Sequence, residues 1–367
     1  MKAFNSKRNN KKGISLLSLL LASVLTVLAG CSSAGESTQD SGGQESGGGQ
    51  PAASEIVVST FGGKYDEVFT VYVKEPFEKA NPGVTVKLAP YTGVAKLAQG
   101  GGASIDVVSL DDFDLIEAAN RGLLAPLSKD AFSSWDKLYP QAFLNGTDGQ
   151  TYGLVNVFGA WGIAYNPEKV DKPESWNDLW KPEVKGKVAL MSQWIPDILL
   201  TAKATGATYD NMEPVWEAYR KITPSVAQYY SSFSAPESLF GTGEVVMAAW
   251  FDGRAYALKS ASKPVDFTIP KEGGVLIRSG MGVLKDSKNK ELAQKLIDFC
   301  MTPEVQKGFA QELYYGPTNT TVELDQELQQ IVVYGQEKVE ALITPDWNEI
   351  LPKREEWLTK WTEATAQ

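Results

Sequence analysis

The sequence predicts an α/β protein, and the stretch from Phe251 to Asn319 carries most of that prediction. It reads as a short polar turn at Asp252-Gly253, a helical pattern, a strand over residues 265–269, a glycine turn at Gly273-Gly274, a strand pair around Arg278-Ser279-Gly280 and an amphipathic helix. Alternation of this kind belongs to a sheet covered by helices. Elsewhere, β-branched runs end in Gly or Asp turns that open helices. At 367 residues the chain can build two lobes with cores of their own.

From the amino terminus, Lys2, Lys7, Arg8, Lys11 and Lys12 precede an apolar run over residues 14–27. That run is too short and wrongly flanked for a stable membrane span, and Leu28-Ala29-Gly30-Cys31 supplies the small residues of a cleavage site. Residues 1–30 are therefore expected to be a signal peptide, the alternative being an uncleaved anchor helix. The Leu-Ala-Gly-Cys pattern resembles the lipobox of bacterial lipoproteins, which implies lipidation of Cys31. Residues 31–54 are mostly Ser, Gly, Gln, Glu and Ala. They cannot bury enough apolar surface to offset their ordering entropy and read as a flexible tether.

Residues 55–60 form a buried strand that feeds Phe61-Gly62-Gly63-Lys64-Tyr65 and a helix over 66–80, the opening βα unit of a parallel sheet. Ligands of open α/β sheets sit at the carboxyl ends of strands, which puts Phe61 and Tyr65 at a site edge unless the turn is an ordinary one. The GxxxxGK[ST] spacing of a phosphate loop is absent. Asn81-Pro82-Gly83 stops the helix, and residues 84–88 and 105–110 give the second and third strands. Asp111, Asp112 and Asp114 follow the third strand. They either cap the next helix, whose dipole favours acids at its start, or face a cleft and pair with a ligand ammonium.

Residues 152–166 are a long apolar β stretch in which Trp161, flanked by Gly159 and Gly162, is either a wall of the site or a core tryptophan. A helix over 176–180 capped by Ser175, a strand over 188–190, a lead-in containing Gln193 and Trp194, and a helix over 198–204 come next. Strands over 226–230 and 244–251 follow, the latter ending in a turn at Asp252-Gly253-Arg254. The tail over 324–361 is helical by period, is interrupted by Pro345 and Pro352, and is expected on the outside of one lobe. No internal repeat is apparent.

Composition removes whole classes of function. A net charge of −10 argues against nucleic acid or an anionic membrane surface as partner. The chain has no histidine, which takes away the commonest general base, the Ser-His and Cys-His nucleophile pairs and the usual zinc ligand set. No cofactor or metal is expected, nor is an enzyme. A glycoside hydrolase would need an acid/base pair that no feature of the sequence places. With Cys31 acylated, Cys300 has no disulfide partner and reads as a small core residue.

The Lys271 to Gly274 turn, the Ser287 to Glu291 helix entry with Leu292, Leu296, Ile297 and Phe299 behind it, and the closing Tyr315-Gly316-Pro317-Thr318-Asn319 resemble the spermidine/putrescine-type family of extracytoplasmic solute-binding proteins, the receptors of ABC importers. The resemblance implies a periplasmic-binding-protein type II fold, two α/β lobes joined by a two-strand hinge with the ligand cleft between them. Lobe 1 would span 55–157 plus 273–310 and lobe 2 would span 158–272 plus 311–367. It also implies a monomer that hands its solute to membrane permease subunits.

The polyamine-binding members grip their ligand with aromatic faces and carboxylates. Here the corresponding aromatics are Phe61, Phe251 and Tyr315. The lobe-two acids fall near Gln193 and Pro196, and another falls on Ser279 beside Arg278. Asp252 and Arg254 stand instead, with Asp111 and Asp112 across the cleft. That set suits a small amine or a zwitterion such as γ-aminobutyrate, an amino acid or an opine, with Arg254 either a carboxylate clamp or a surface ion-pair partner. A Gly-Gly-x-Tyr turn, here Gly62 to Tyr65, resembles that of non-polyamine members. A remoter alternative is a ferric receptor using the pairs Tyr229-Tyr230 and Tyr314-Tyr315.

Overall fold

The computed structural model describes residues 54–366. The expected leader, Cys31 and the tether up to residue 53 lie outside the described residues, and Ser54, expected to end the tether, already begins the first strand.

The strands are β1 (Ser54–Ser59), β2 (Val84–Ala89), β3 (Val107–Asp111), β4 (Phe143–Asn145), β5 (Thr151–Tyr165), β6 (Val188–Met191), β7 (Val226–Tyr230), β8 (Met247–Phe251), β9 (Asp266–Thr268), β10 (Val275–Val283) and β11 (Gly316–Pro317). They join in one sheet of order β2-β1-β3-β10-β5-β8-β6-β7, with β4, β9 and β11 on β5. Read inward from either end, the order repeats. In the first half β2, β1 and β3 are parallel and meet antiparallel β10; in the second, β7, β6 and β8 are parallel and meet antiparallel β5. The sequence shows no repeat, yet the topology has one.

β5 and β10 pair antiparallel in the middle, from Trp161↔Val275 to Gly153↔Gly282, and β5 goes on to pair with β8 from Trp161 to Tyr165. Almost every residue of β5 is buried, as expected for a strand covered on both faces. The two strands approach so closely that a Cβ on Gly280 would lie 2.6 Å from the Leu154 carbonyl oxygen.

Several local expectations are corrected. The strand pair around Arg278 is a single strand, β10, with a register shift between Ser279 and Gly280. Asp252-Gly253-Arg254 is not a free turn but the first turn of the Asp252–Ser260 helix. The helix expected over 198–204 starts earlier, at Ile195–Thr205, because Pro196 fits a first turn that needs no N–H from it. The first long helix runs from Lys64 to Ala80 but widens to a π-helical turn over Thr70–Lys74. Pro76 cannot donate to the Tyr72 carbonyl four residues back, and the wider turn absorbs the misfit.

The tail does not rest on one half alone. Its Trp347–Ile350 helix packs on the Asp112–Asn120 helix of the first half, and its Arg354–Thr365 helix packs on the Glu213–Ile222 helix of the second.

Candidate functional site

The repeated topology makes the ends of β3 and β8 corresponding places, each running straight into a helix whose first residue is a buried aspartate, Asp112 or Asp252. Asp111, the last residue of β3, is the N-cap of its helix but makes no capping hydrogen bond with its side chain. Its Oδ1 instead accepts from Ser279 Oγ at 2.6 Å, and Ser279 is its register partner on β10. Burial, with the charges of Asp112 and Asp114 nearby, pushes the Asp111 carboxyl up to about 7 while Ser279 opposes the shift.

Asp112 takes the Arg278 Nε at 2.7 Å, both side chains being 6% exposed. Burial pushes its carboxyl up and Arg278 pulls it back. Arg278 also donates to the Pro345 carbonyl at 3.1 Å, so its fork is spent inside the scaffold.

Asp252 accepts from the backbone N–H of Gly253 at 2.7 Å and from that of Ala160 on β5. Among the described residues it makes no ion pair, and burial pushes it up to about 7. Tyr315 lies beside the start of the Asp252–Ser260 helix. Its phenol is raised first by burial, then feels Arg254, Asp111 and Asp252, and its ring edge would be 3.3 Å from a Cβ on Gly253.

Aromatic rings cover both sides. Phe61 meets Tyr65 at 5.0 Å and stacks on Tyr91 at 5.9 Å, while the Tyr65 hydroxyl accepts from Asn156 Nδ2 at 3.3 Å. In the second half Trp161, Trp194, Phe233 and Phe251 form a closed ring of contacts at 4.7–5.6 Å. Trp161 is wholly buried, and its Nε1 donates to Asp197 Oδ1 at 2.6 Å. Burial pushes Asp197 up to about 7.

The structure thus brings together Asp111, Ser279, Tyr315, Phe251 and Asp252, with Trp161 and Trp194 behind Phe251. Phe61 and Tyr65 stand at the end of β1, and Asp112 is spent on Arg278. Gln193 is exposed and donates to Thr362 Oγ1 at 3.0 Å, on the rim of an open groove of about 690 Å³ between the Asp112–Asn120 and Arg354–Thr365 helices. Arg254 pairs with Glu237 at 2.9 Å, the side chains 39% and 41% exposed. Sequence reasoning missed Asp197, Phe113, Phe233 and Tyr91. Of these, Asp197 alone carried a signal, an acid in the first turn of a helix at a strand's carboxyl end.

The tyrosine pairs are split among separate partners. The Tyr229 hydroxyl meets Thr223, that of Tyr230 donates to the Ala249 carbonyl, and that of Tyr314 meets Ser260. Among the described residues no cluster of three or more His, Cys, Asp or Glu is placed to hold a metal.

Residues 73–332 match the family model of bacterial extracellular solute-binding proteins. The chain belongs to that family. Its members are solute-binding proteins, not enzymes. The chain is 26% identical over 290 residues to the spermidine/putrescine-binding periplasmic protein of Escherichia coli strain K12, covering 73% of this chain and 83% of that one. It is also 26% identical over 286 residues to the γ-aminobutyric acid-binding protein of Pseudomonas aeruginosa, covering 74% and 78%. The crystal structure of an ABC transporter protein from Clostridium perfringens superposes with a TM-score of 0.72 at 26% identity, covering 85% of this chain and all of that one. The fold is the two-lobed type II arrangement of periplasmic solute-binding proteins. Among the described residues no helix is long and apolar enough to cross a membrane.

Proposed function

We propose that this solute-binding protein captures a small amine-bearing solute between two lobes and delivers it to the permease of an ABC importer. The lobes would be residues 55–157 plus 273–310 and residues 158–272 plus 311–367, closing about β5 and β10. The chain would act as a monomer, tethered to the membrane through lipidated Cys31.

One observation carries the choice of an amine. Asp111 and Asp252 stand at corresponding strand ends, both felt by the Tyr315 phenol, raised by burial and in no ion pair among the described residues. A desolvated ammonium needs paired charge or an aromatic face, and this site supplies both. The name of the Escherichia coli spermidine/putrescine-binding relative agrees with this reading, and that of the Pseudomonas aeruginosa γ-aminobutyric acid-binding relative names a solute that carries an amine and a carboxylate.

A second reading, a zwitterion with its carboxylate on Arg254, is favoured by the place of that arginine in the field of Tyr315. Isothermal titration with spermidine, putrescine, γ-aminobutyrate and a panel of amino acids separates the two. Binding of a di- or polyamine that survives Arg254→Ala supports the first reading. Binding of a zwitterion that this substitution abolishes supports the second. Failure of every amine in the panel would sink both.

A further inference from the structure

The tail beyond residue 332 lies outside the stretch matched by the family model, yet it is stitched to both halves of the sheet. Ile343 pairs with the hinge region, its N–H on the Gly274 carbonyl at 2.8 Å and its carbonyl on the Leu276 N–H at 2.9 Å. Asn348 then binds the first half, its Oδ1 accepting from Asn120 Nδ2 at 2.9 Å and its Nδ2 donating to the Asn145 carbonyl at 3.2 Å. Farther on, Trp357 and Trp361 pack into the second half against Tyr209 and Tyr229 at 5.3 and 5.1 Å.

Where the tail passes between the halves, it closes on one side chain. The ring of Phe113, in the first turn of the Asp112–Asn120 helix, meets Trp194 of the second half at 5.9 Å and Trp347 of the tail at 5.5 Å. The Arg354 guanidinium sits 5.7 Å from the same ring and 3.5 Å from Glu117 one turn along. Moving the halves apart would unpack this ring from Trp194, from the tail, or from both.

We infer that the tail is a latch, in which Trp347 and Arg354 act as positioning residues that clasp Phe113 against Trp194 and hold the two halves together. Phe113 adjoins Asp112 and is two residues from Asp111, so the clasp also fixes the acidic strand end that faces the solute. This rests on the proposal that the halves close on a solute, whatever that solute is.

The test is small-angle X-ray scattering of the solute-free protein together with solute titration, on Arg354→Glu, Arg354→Lys and Phe113→Leu. Arg354 is partly exposed, so its substitution leaves the core intact. Arg354→Glu sets two carboxylates together and removes the cation from the ring. Arg354→Glu and Phe113→Leu are expected to raise the radius of gyration and weaken solute binding by about 3- to 10-fold, and Arg354→Lys to stay near the native values. An unchanged scattering curve in both Arg354→Glu and Phe113→Leu overturns the latch, even if Phe113→Leu loses affinity, because the ring would then be a solute contact only. The scattering arm needs no solute, so it judges the latch even if no amine binds.

Discussion

The ends of β3 and β8 occupy the same place in the two halves, and each opens a helix with a buried aspartate, but the two acids have opposite fates. Asp112 is neutralised by Arg278, which reaches it from β10 and continues to the Pro345 carbonyl. Among the described residues Asp252 accepts from backbone N–H groups and makes no ion pair, and burial pushes it up to about 7. The first is a joint of the scaffold, tying a hinge strand to a helix and the tail. The second is a buried carboxyl with no ion pair among the described residues, whose ionisation is costly unless a cation arrives to pair with it.

The largest effect should come from breaking the joint. Arg278→Ala leaves Asp112 buried alone and removes the bond to Pro345, and is expected to cost about 3–5 kcal/mol, seen in the denaturation midpoint. At the other strand end the sign should reverse. Asp252→Asn is expected to leave the midpoint unchanged or raised while weakening amine binding by about 10- to 100-fold in calorimetry. Equal losses of stability in both variants would erase the distinction between the two ends.

A smaller, graded effect follows from pH. Asp111, Asp197 and Asp252 sit at about 7 in the fold against an ordinary 3.8. Between those values the folded chain holds more protons than the unfolded one, so stability falls as pH rises from 5 to 8. In scanning calorimetry the solute-free midpoint should drop by roughly 2–4 °C for each kcal/mol lost. An ammonium would draw the protons off Asp111 and Asp252, so solute binding should strengthen over the same interval. Parallel trends in stability and affinity would contradict the ammonium assignment.

Much of the framework was legible because it depends on local patterns. β-branched runs gave β1, β2 and β3, short apolar stretches gave β6 and β7, and Ser175 caps its helix as its sequence announces. The carboxyl-end rule placed Asp111 and Asp252 at the ends of strands, where the structure has them. What stayed hidden depends on residues far apart in the chain. Asp112 and Arg278 are 166 positions apart, and nothing near either one tells which of Asp111 and Asp112 is neutralised. Trp161 is buried because β5 runs through the middle of the sheet, and its N–H is satisfied by Asp197 in the first turn of the Ile195–Thr205 helix. The choice for Arg254 between clamp and ion-pair partner stayed open because Glu237, which it meets, lies on a different helix. The repeated topology was illegible because the two halves share strand order and not residues.

Cys300 is 1% exposed, and burial raises its thiol far above the usual range. For a family that works outside the cytoplasm, this matters in redox terms. An exposed lone thiol there meets oxidants and other thiols, whereas reaction needs the thiolate and access to it. Folding is therefore what keeps Cys300 reduced, and heat that opens the core also releases a sulfur able to cross-link chains. Thermal unfolding should be more reversible with a reductant present than without one.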